Sequence, residues 1–350
     1  MHYEELIKHV FAAKNKTKQQ MKNAYLGTFS GRAAKNVSLS IAILNAPCNG
    51  FGDVVFAMKL YNYLTEWYPL CRVKIISTNV EGFKSIGADR SVLVALATNA
   101  QSSCRRFSRL EVEEKEEEDF DLFFVAPLQA DFDISYTDVK QLFPQSNRMN
   151  TYFFSEYNDS SRKKFDFPTG VGGRRMGLFL TSTRTSTKNM RGPYAMTYLA
   201  DIPRAQVCFT NFLNMVCKKY HRRYRRFQIV VPSWIAAQII DLDPSIRLDG
   251  IAPYFGRITV VTKEKEKEKV QIQMDSRNKN TLIIRGDVYP LNNRAMVSLM
   301  KYSVRDILLT GDQSITDMCR AGRKKIYFTK LPLGKKHWRT NWRHTCPTST

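Results

Sequence analysis

Two short segments of this sequence bring glycine, an acid and small polar side chains together where a ligand could be held. The first is Asn49-Gly50-Phe51-Gly52-Asp53. Gly50 and Gly52 permit a tight turn and let a ligand approach backbone N–H groups, while Asp53 offers a carboxylate. That carboxylate can accept a proton, or it can cap the helix that follows. The segment lacks a dinucleotide fingerprint, since Val55 stands where the third glycine belongs, and no Gly-Lys-Ser/Thr of a phosphate-binding P-loop follows. The second segment is Thr310-Gly311-Asp312-Gln313-Ser314-Ile315-Thr316-Asp317. Gly311, Asp312, Gln313 and Ser314 suit a diphosphate or another anion at a helix start, and Ser314 with Asp317 is also a plain capping pattern.

Cations for such an anion sit at the ends of apolar runs. Arg285 closes one just before Gly286-Asp287, and Lys330 and Lys335 follow the last one. Each can meet a diphosphate or simply be solvated. The cluster KKYHRRYRR, Lys218–Arg226, interleaves cations with rings. It fits phosphates and bases, and equally a cationic helix end. The seven cysteines are scattered without a Cys-x-x-Cys or a Cys/His cluster, so neither a disulfide framework nor a zinc site is expected. No metal and no cofactor is expected at either segment.

The elements that must position these residues read as α/β. Val37–Leu44 is strand-like, a Gly turn follows, Val54–Trp67 has helical spacing, and Val73–Ser77 is the next strand; this is a βαβ unit. Asp121–Ala126 reads as a buried parallel strand, and the acidic run Glu111–Asp121 before it as a solvated loop or helix surface. Tyr194–Tyr220 reads as a long helical stretch interrupted at Pro203. Alternation restarts at Phe227–Pro232 and continues through Ile258–Thr262, Thr281–Arg285, Asp306–Leu309 and Ile326–Phe328, with helices at Trp234–Ile240, Leu291–Tyr302 and Ser314–Arg320. The KEKEKEK run after Ile258–Thr262 reads as an exposed loop. The expected divisions are a basic helical extension at 1–36, an N-terminal Rossmann-like domain at 37–193, a helical connection at 194–225, a C-terminal Rossmann-like domain at 226–335 and a basic tail at 336–350. The two domains are expected to face each other across a cleft.

Composition agrees with two full cores. The 350 residues are 43% hydrophobic and 12% aromatic, enough for two domains near ~150 residues each. Lys+Arg 54 against Asp+Glu 32 gives a net charge of +22, so anionic partners are expected. The longest apolar runs fall far short of the ~18 residues of a membrane span, and the start MHYEELIKHVF has no signal-peptide block. A cytoplasmic chain without a transmembrane segment is the expectation.

Two successive α/β domains of this kind resemble the GT-B glycosyltransferases. GFGDVVFAMKLYNYL is similar to the Gly-Asp loop and helix of bacterial heptosyltransferases and protein-arginine rhamnosyltransferases, in which the Asp is the catalytic base; that role maps onto Asp53. LLTGDQSITDMCRAGRKKIYF resembles the second-domain loop of the rhamnosyltransferases, with Gly311, Asp312, Gln313 and Ser314 at its G-E-D-S positions. Asp312 replaces Glu there, Gln313 replaces Asp, and no Pro follows Arg323-Lys324. The resemblance implies a metal-independent, inverting transfer of a sugar from a nucleotide-sugar donor to a glycan or protein acceptor. Two alternatives stand beside it: a non-catalytic protein that binds nucleic acid or a particle surface through its basic patches, and a sugar-nucleotide epimerase.

Overall fold

The computed structural model describes residues 38–47, 51–98, 110–112, 119–128, 136–157, 165–169, 179, 190–200, 205–263, 269–275, 277–318 and 325–328. The expected N-terminal helix within 1–36, Gly50, the centre of the Lys/Glu run at 264–268, Lys330, Lys335 and the tail 336–350 lie outside them. The chain divides into two compact units between Leu180 and Thr181.

The first unit carries strands β1 (Ser40–Asn45), β2 (Arg72–Ser77), β3 (Leu93–Thr98), β4 (Leu110–Val112), β5 (Leu122–Leu128) and β6 (Thr151–Ser155), in spatial order β4-β3-β2-β1-β5-β6. All neighbours are parallel except β3 and β4. The apolar runs demand this arrangement. β5 is buried along its whole length and β1 beyond its first residue, as strands covered on both faces are. Parallel neighbours need a crossover, which α1 (Gly52–Trp67) supplies between β1 and β2. Its Val54, Phe56, Ala57, Leu60 and Leu64 are buried. Helix α2 (Val80–Ser85) follows β2, and α3 (Tyr136–Leu142) lies between β5 and β6. One core joins Leu44, Val94, Phe123 and Phe153 of the sheet to Val139 of α3 and Phe143. A second gathers the rings of Phe56, Phe154, Tyr157 and Phe179, with centroids 5.1 to 6.4 Å apart.

The second unit carries β7 (Tyr194–Tyr198), β8 (Arg226–Val230), β9 (Arg257–Val261), β10 (Lys269–Gln273), β11 (Thr281–Arg285), β12 (Asp306–Leu309) and β13 (Lys325–Phe328), in the order β10-β9-β11-β8-β7-β12-β13. Only the β9–β10 pair is antiparallel among these neighbours. Its helices are α4 (Ala205–Tyr220), α5 (Ser233–Ile240), α6 (Asn293–Tyr302) and α7 (Asp312–Met318). Phe209, Phe212, Leu213 and Val216 of α4 and Ile235 and Ile239 of α5 are buried against Phe227, Ile229, Ile258 and Ile284.

Both units are mixed α/β with largely parallel sheets, compatible with a Rossmann-like fold. Two sequence expectations are corrected. Tyr194–Tyr198, expected to open the helical connection, is strand β7 near the middle of the second sheet. Its aromatic and β-branched residues favour a strand, and helical spacing begins only at Ala205, past Pro203. The second unit therefore starts well before the restart at 226. The acidic run, read as loop or helix surface, begins inside β4.

Candidate functional site

Open parallel sheets bind ligands where neighbouring strands lead away in opposite directions, outside their carboxyl ends. In the first unit that point lies between β1 and β5: the chain adds β2, β3 and β4 on one side and then returns to add β5 and β6 on the other. In the second unit it lies between β7 and β12 for the same reason. The two segments singled out in the sequence lead directly out of these points. Phe51–Asp53 follows β1, and Thr310–Ser314 follows β12. They are not equivalent positions, since β1 is the first strand of its unit and β12 is added after the return.

Each switch point is pinned by a side chain. Asn45, the last residue of β1 and fully buried, donates from Nδ2 to the carbonyl of Ala126 on β5 (2.9 Å) and to the carbonyl of Asp53 (3.2 Å). Its Oδ1 accepts from Ser77 Oγ at the end of β2 (3.3 Å). One amide thus ties the ends of three strands to the first turn of α1. In the second unit, Thr310 Oγ1 accepts from the Ala200 N–H (2.8 Å) and donates to the Tyr198 carbonyl (3.3 Å), joining the ends of β12 and β7.

Asp53 is not the cap of α1. Phe51 occupies that position without a side-chain capping bond, and Asp53 is the acid of the first turn, half-buried. A carboxylate there is favoured by the helix dipole. Gly52 begins the helix and is exposed.

The second loop uses its side chains largely on itself. Gly311 is exposed with φ +87°, a left-handed conformation that glycine takes without strain. Ser314 Oγ donates back to the carbonyls of Thr310 (2.7 Å) and Gly311 (3.0 Å). Gln313 Nε2 donates to Asp317 Oδ2 (3.2 Å), and both residues are buried. An aspartate at 313 would place a second acid against Asp317, so the amide here suits its neighbour. Asp312 opens α7. What the loop offers a ligand is backbone: the first N–H groups of a helix have no partner within it.

Arg285, at the carboxyl end of β11, is held by Asp287 through Nε–Oδ1 (2.6 Å) and Nη2–Oδ2 (2.8 Å), and its Nη1 donates to Gln228 Oε1 (3.3 Å). The Asp287 hydrogen bonds hold its pKa above the ordinary arginine value against the opposing effect of burial. Other carboxyl-end residues were not evident from the sequence. Tyr198 and Tyr289 meet edge to face at 5.5 Å, Tyr289 Oη donates to the Thr197 carbonyl (2.9 Å), and Lys263 Nζ donates to the Tyr289 carbonyl (2.7 Å). Burial pushes both phenols up, so they act as neutral hydroxyls. Trp234 Nε1 donates to the Leu199 carbonyl (3.3 Å).

No Asp-x-Asp pair was expected to suggest a metal, yet the sequence carries such triplets at 119–121, 131–133 and 241–243, the last being Asp241-Leu242-Asp243. It ends α5, with Leu242 at φ 52° and Asp243 Oδ1 accepting from the Ser245 N–H (2.8 Å). Among the described residues no group of three or more His, Cys, Asp or Glu could hold a metal ion. A depression of about 450 Å³ beside the end of α5 is lined by Gln238, Asp243 and Arg247 among others, and by none of the candidate site residues. No described helix is long and apolar enough to cross a membrane. No protein-family model matches the chain, and no curated protein matches it.

Proposed function

We propose that the chain is a metal-independent, inverting glycosyltransferase of the GT-B arrangement, taking its donor as a nucleotide sugar and its acceptor from glycans or proteins. The observation that carries the reading is that both predicted segments emerge at the switch points of two successive parallel sheets. In this reading Asp53 takes the proton of an acceptor hydroxyl or amine as that group attacks the anomeric carbon. Backbone N–H groups of Gly311–Ser314, with Arg285, receive the diphosphate and stabilise the negative charge that develops on it as it leaves. The new bond forms opposite the leaving group, so configuration inverts.

The test is a thermal-shift screen of UDP-, GDP- and dTDP-sugars against the full chain. A donor present at 100 times its dissociation constant adds about 2.7 kcal/mol of stability. Stabilisation by one nucleotide series is expected. No shift with any nucleotide sugar overturns the proposal, and conversion of the donor sugar without any acceptor assigns the chain to the epimerases.

A further inference from the structure

The second sheet has a charged edge at its other end. Helix α4 finishes with Lys218 and Lys219, and Arg222, Arg223, Arg225 and Arg226 carry the chain into the amino end of β8. Sheet register adds cations remote in sequence. Thr281, the first residue of β11, pairs with Arg226 on one side and with Arg257, the first residue of β9, on the other. With ~4.8 Å between strands, Arg226 and Arg257 leave the same face of the sheet about 10 Å apart. Lys279 precedes β11, and Arg305 precedes β12. Apart from Lys219, none of these cations forms an ion pair among the described residues, and all of them are exposed.

A helix dipole accounts for Lys218 and Lys219 but reaches no further than the last turn. It does not account for arginines on β8 and β9. Asp306, the acid that begins β12, is already balanced: Lys219 Nζ lies 2.5 Å from it, and Tyr220 and Tyr327 donate to it. The remaining acids at this end include Asp241, Asp243 and Asp249, in the connection between α5 and β9, and Asp275, which follows β10 beside Gly256 and is paired with Arg277 (3.5 Å).

We infer that this edge docks the phosphate backbone of a nucleic acid, without reading bases. Arginine dominates it, and the guanidinium fork matches phosphate oxygens. The rings among the cations are already engaged: Tyr224 stacks on Phe227 at 5.8 Å with Arg223 over its ring, and His221 packs on Tyr254 at 4.8 Å. That leaves charge rather than stacking surface for the partner. An anionic membrane fits less well, because the exposed large apolar side chains at this end, Leu242 and Tyr302, belong to separate connections and offer little apolar surface to bury. The site is independent of the sugar-transfer reading, since it occupies the opposite end of the sheet.

The experiment measures binding of a labelled DNA duplex to the full chain between about 50 and 200 mM salt. Arg222, Arg225, Arg226 and Arg257 are replaced together by Ala, and in a second variant together by Lys. Each lost phosphate contact lowers the slope of log K against log salt by about 0.9, so the Ala variant should lose about 3.6 and the Lys variant almost nothing. The pair Arg222→Ala/Arg225→Ala, outside both strands and safe for the fold, should lose about 1.8. The basic segments 1–36 and 336–350 are present in every variant. An unchanged slope in the Ala variants therefore overturns the inference, as does an equal loss in the Lys variant. Binding to phosphatidylserine vesicles with none to DNA or RNA overturns the choice of partner.

Discussion

Asn45 on β1 and Ala126 on β5 are joined by a 2.9 Å hydrogen bond from a fully buried amide, across the point where the first sheet reverses its direction of growth. The same amide holds the Asp53 carbonyl. The position of the candidate base is thus fixed by a residue eight places earlier that carries no charge. Asn45→Ala should destabilise the protein by about 1–3 kcal/mol, the usual result of leaving buried partners unsatisfied. Asn45→Asp should be worse, because a carboxylate would face two carbonyl oxygens. Urea unfolding of the two variants checks the order; Asp equal to wild type would mean the amide does not donate as described.

Much of the fold was legible in the sequence because buried parallel strands announce themselves as apolar runs between helices. β1, β2, β8, β9, β11 and β12 are of this kind, and α1 shows in its helical spacing. Tyr194–Tyr198 was not, since five residues that end near a proline fit a strand or a helix turn equally well, and only pairing with β8 and β12 decides. The two site segments were visible from their glycines and acids. Asn45 and Thr310 were not, because an Asn or Thr at a strand end gives no signal until its partners across the sheet are known. The amino-edge cations were legible as a cluster at 218–226, while Arg257 joins them only through register.

Gly311 has room for a side chain but not the conformation for one. A Cβ there would come no closer than 4.0 Å to Ser314 Oγ, yet φ is +87°. Gly311→Ala should therefore cost about 1–2 kcal/mol through the backbone alone. Bulky Gly311→Val is consequently a poor probe of binding, since lost stability accompanies any lost affinity. A melting temperature for Gly311→Ala equal to wild type would contradict the left-handed turn.

Asp306 makes acid sensitivity predictable. Burial raises its pKa, but hydrogen bonds from Lys219, Tyr220 and Tyr327 outweigh that and hold it below the ordinary value. A depressed carboxylate stabilises the fold above its unfolded pKa, about 3.9, and that contribution disappears as pH falls through the folded value. Asp306→Asn should lose about 1.5–3 kcal/mol at pH 7, and the gap to wild type should close below about pH 4. Denaturant melts at several pH values measure it; a gap independent of pH would remove the carboxylate as its source.

Asp287 competes with any phosphate for Arg285. Its removal by Asp287→Asn leaves the guanidinium available, and a half-exposed pair of this kind is worth up to about 1 kcal/mol. Diphosphate affinity should rise by as much as about five-fold. Calorimetric titration with UDP, GDP and dTDP reads this directly, and weaker binding in the variant would show that Asp287 positions Arg285 for the ligand or that the anion sits elsewhere.

The central claim rests on Asp53, and Asp53→Asn tests it most directly. Asn matches Asp in shape and Phe51 holds the N-cap position, so the substitution keeps the Asn45 contact to the backbone in place. With the donor found in the nucleotide-sugar screen, donor affinity and product formation are measured side by side for wild type and variant. The expected result is a similar dissociation constant, an unchanged melting temperature and turnover reduced by about 10²–10⁴, the usual loss of a general base. Turnover within a few-fold of wild type would contradict the assignment of Asp53 as the base.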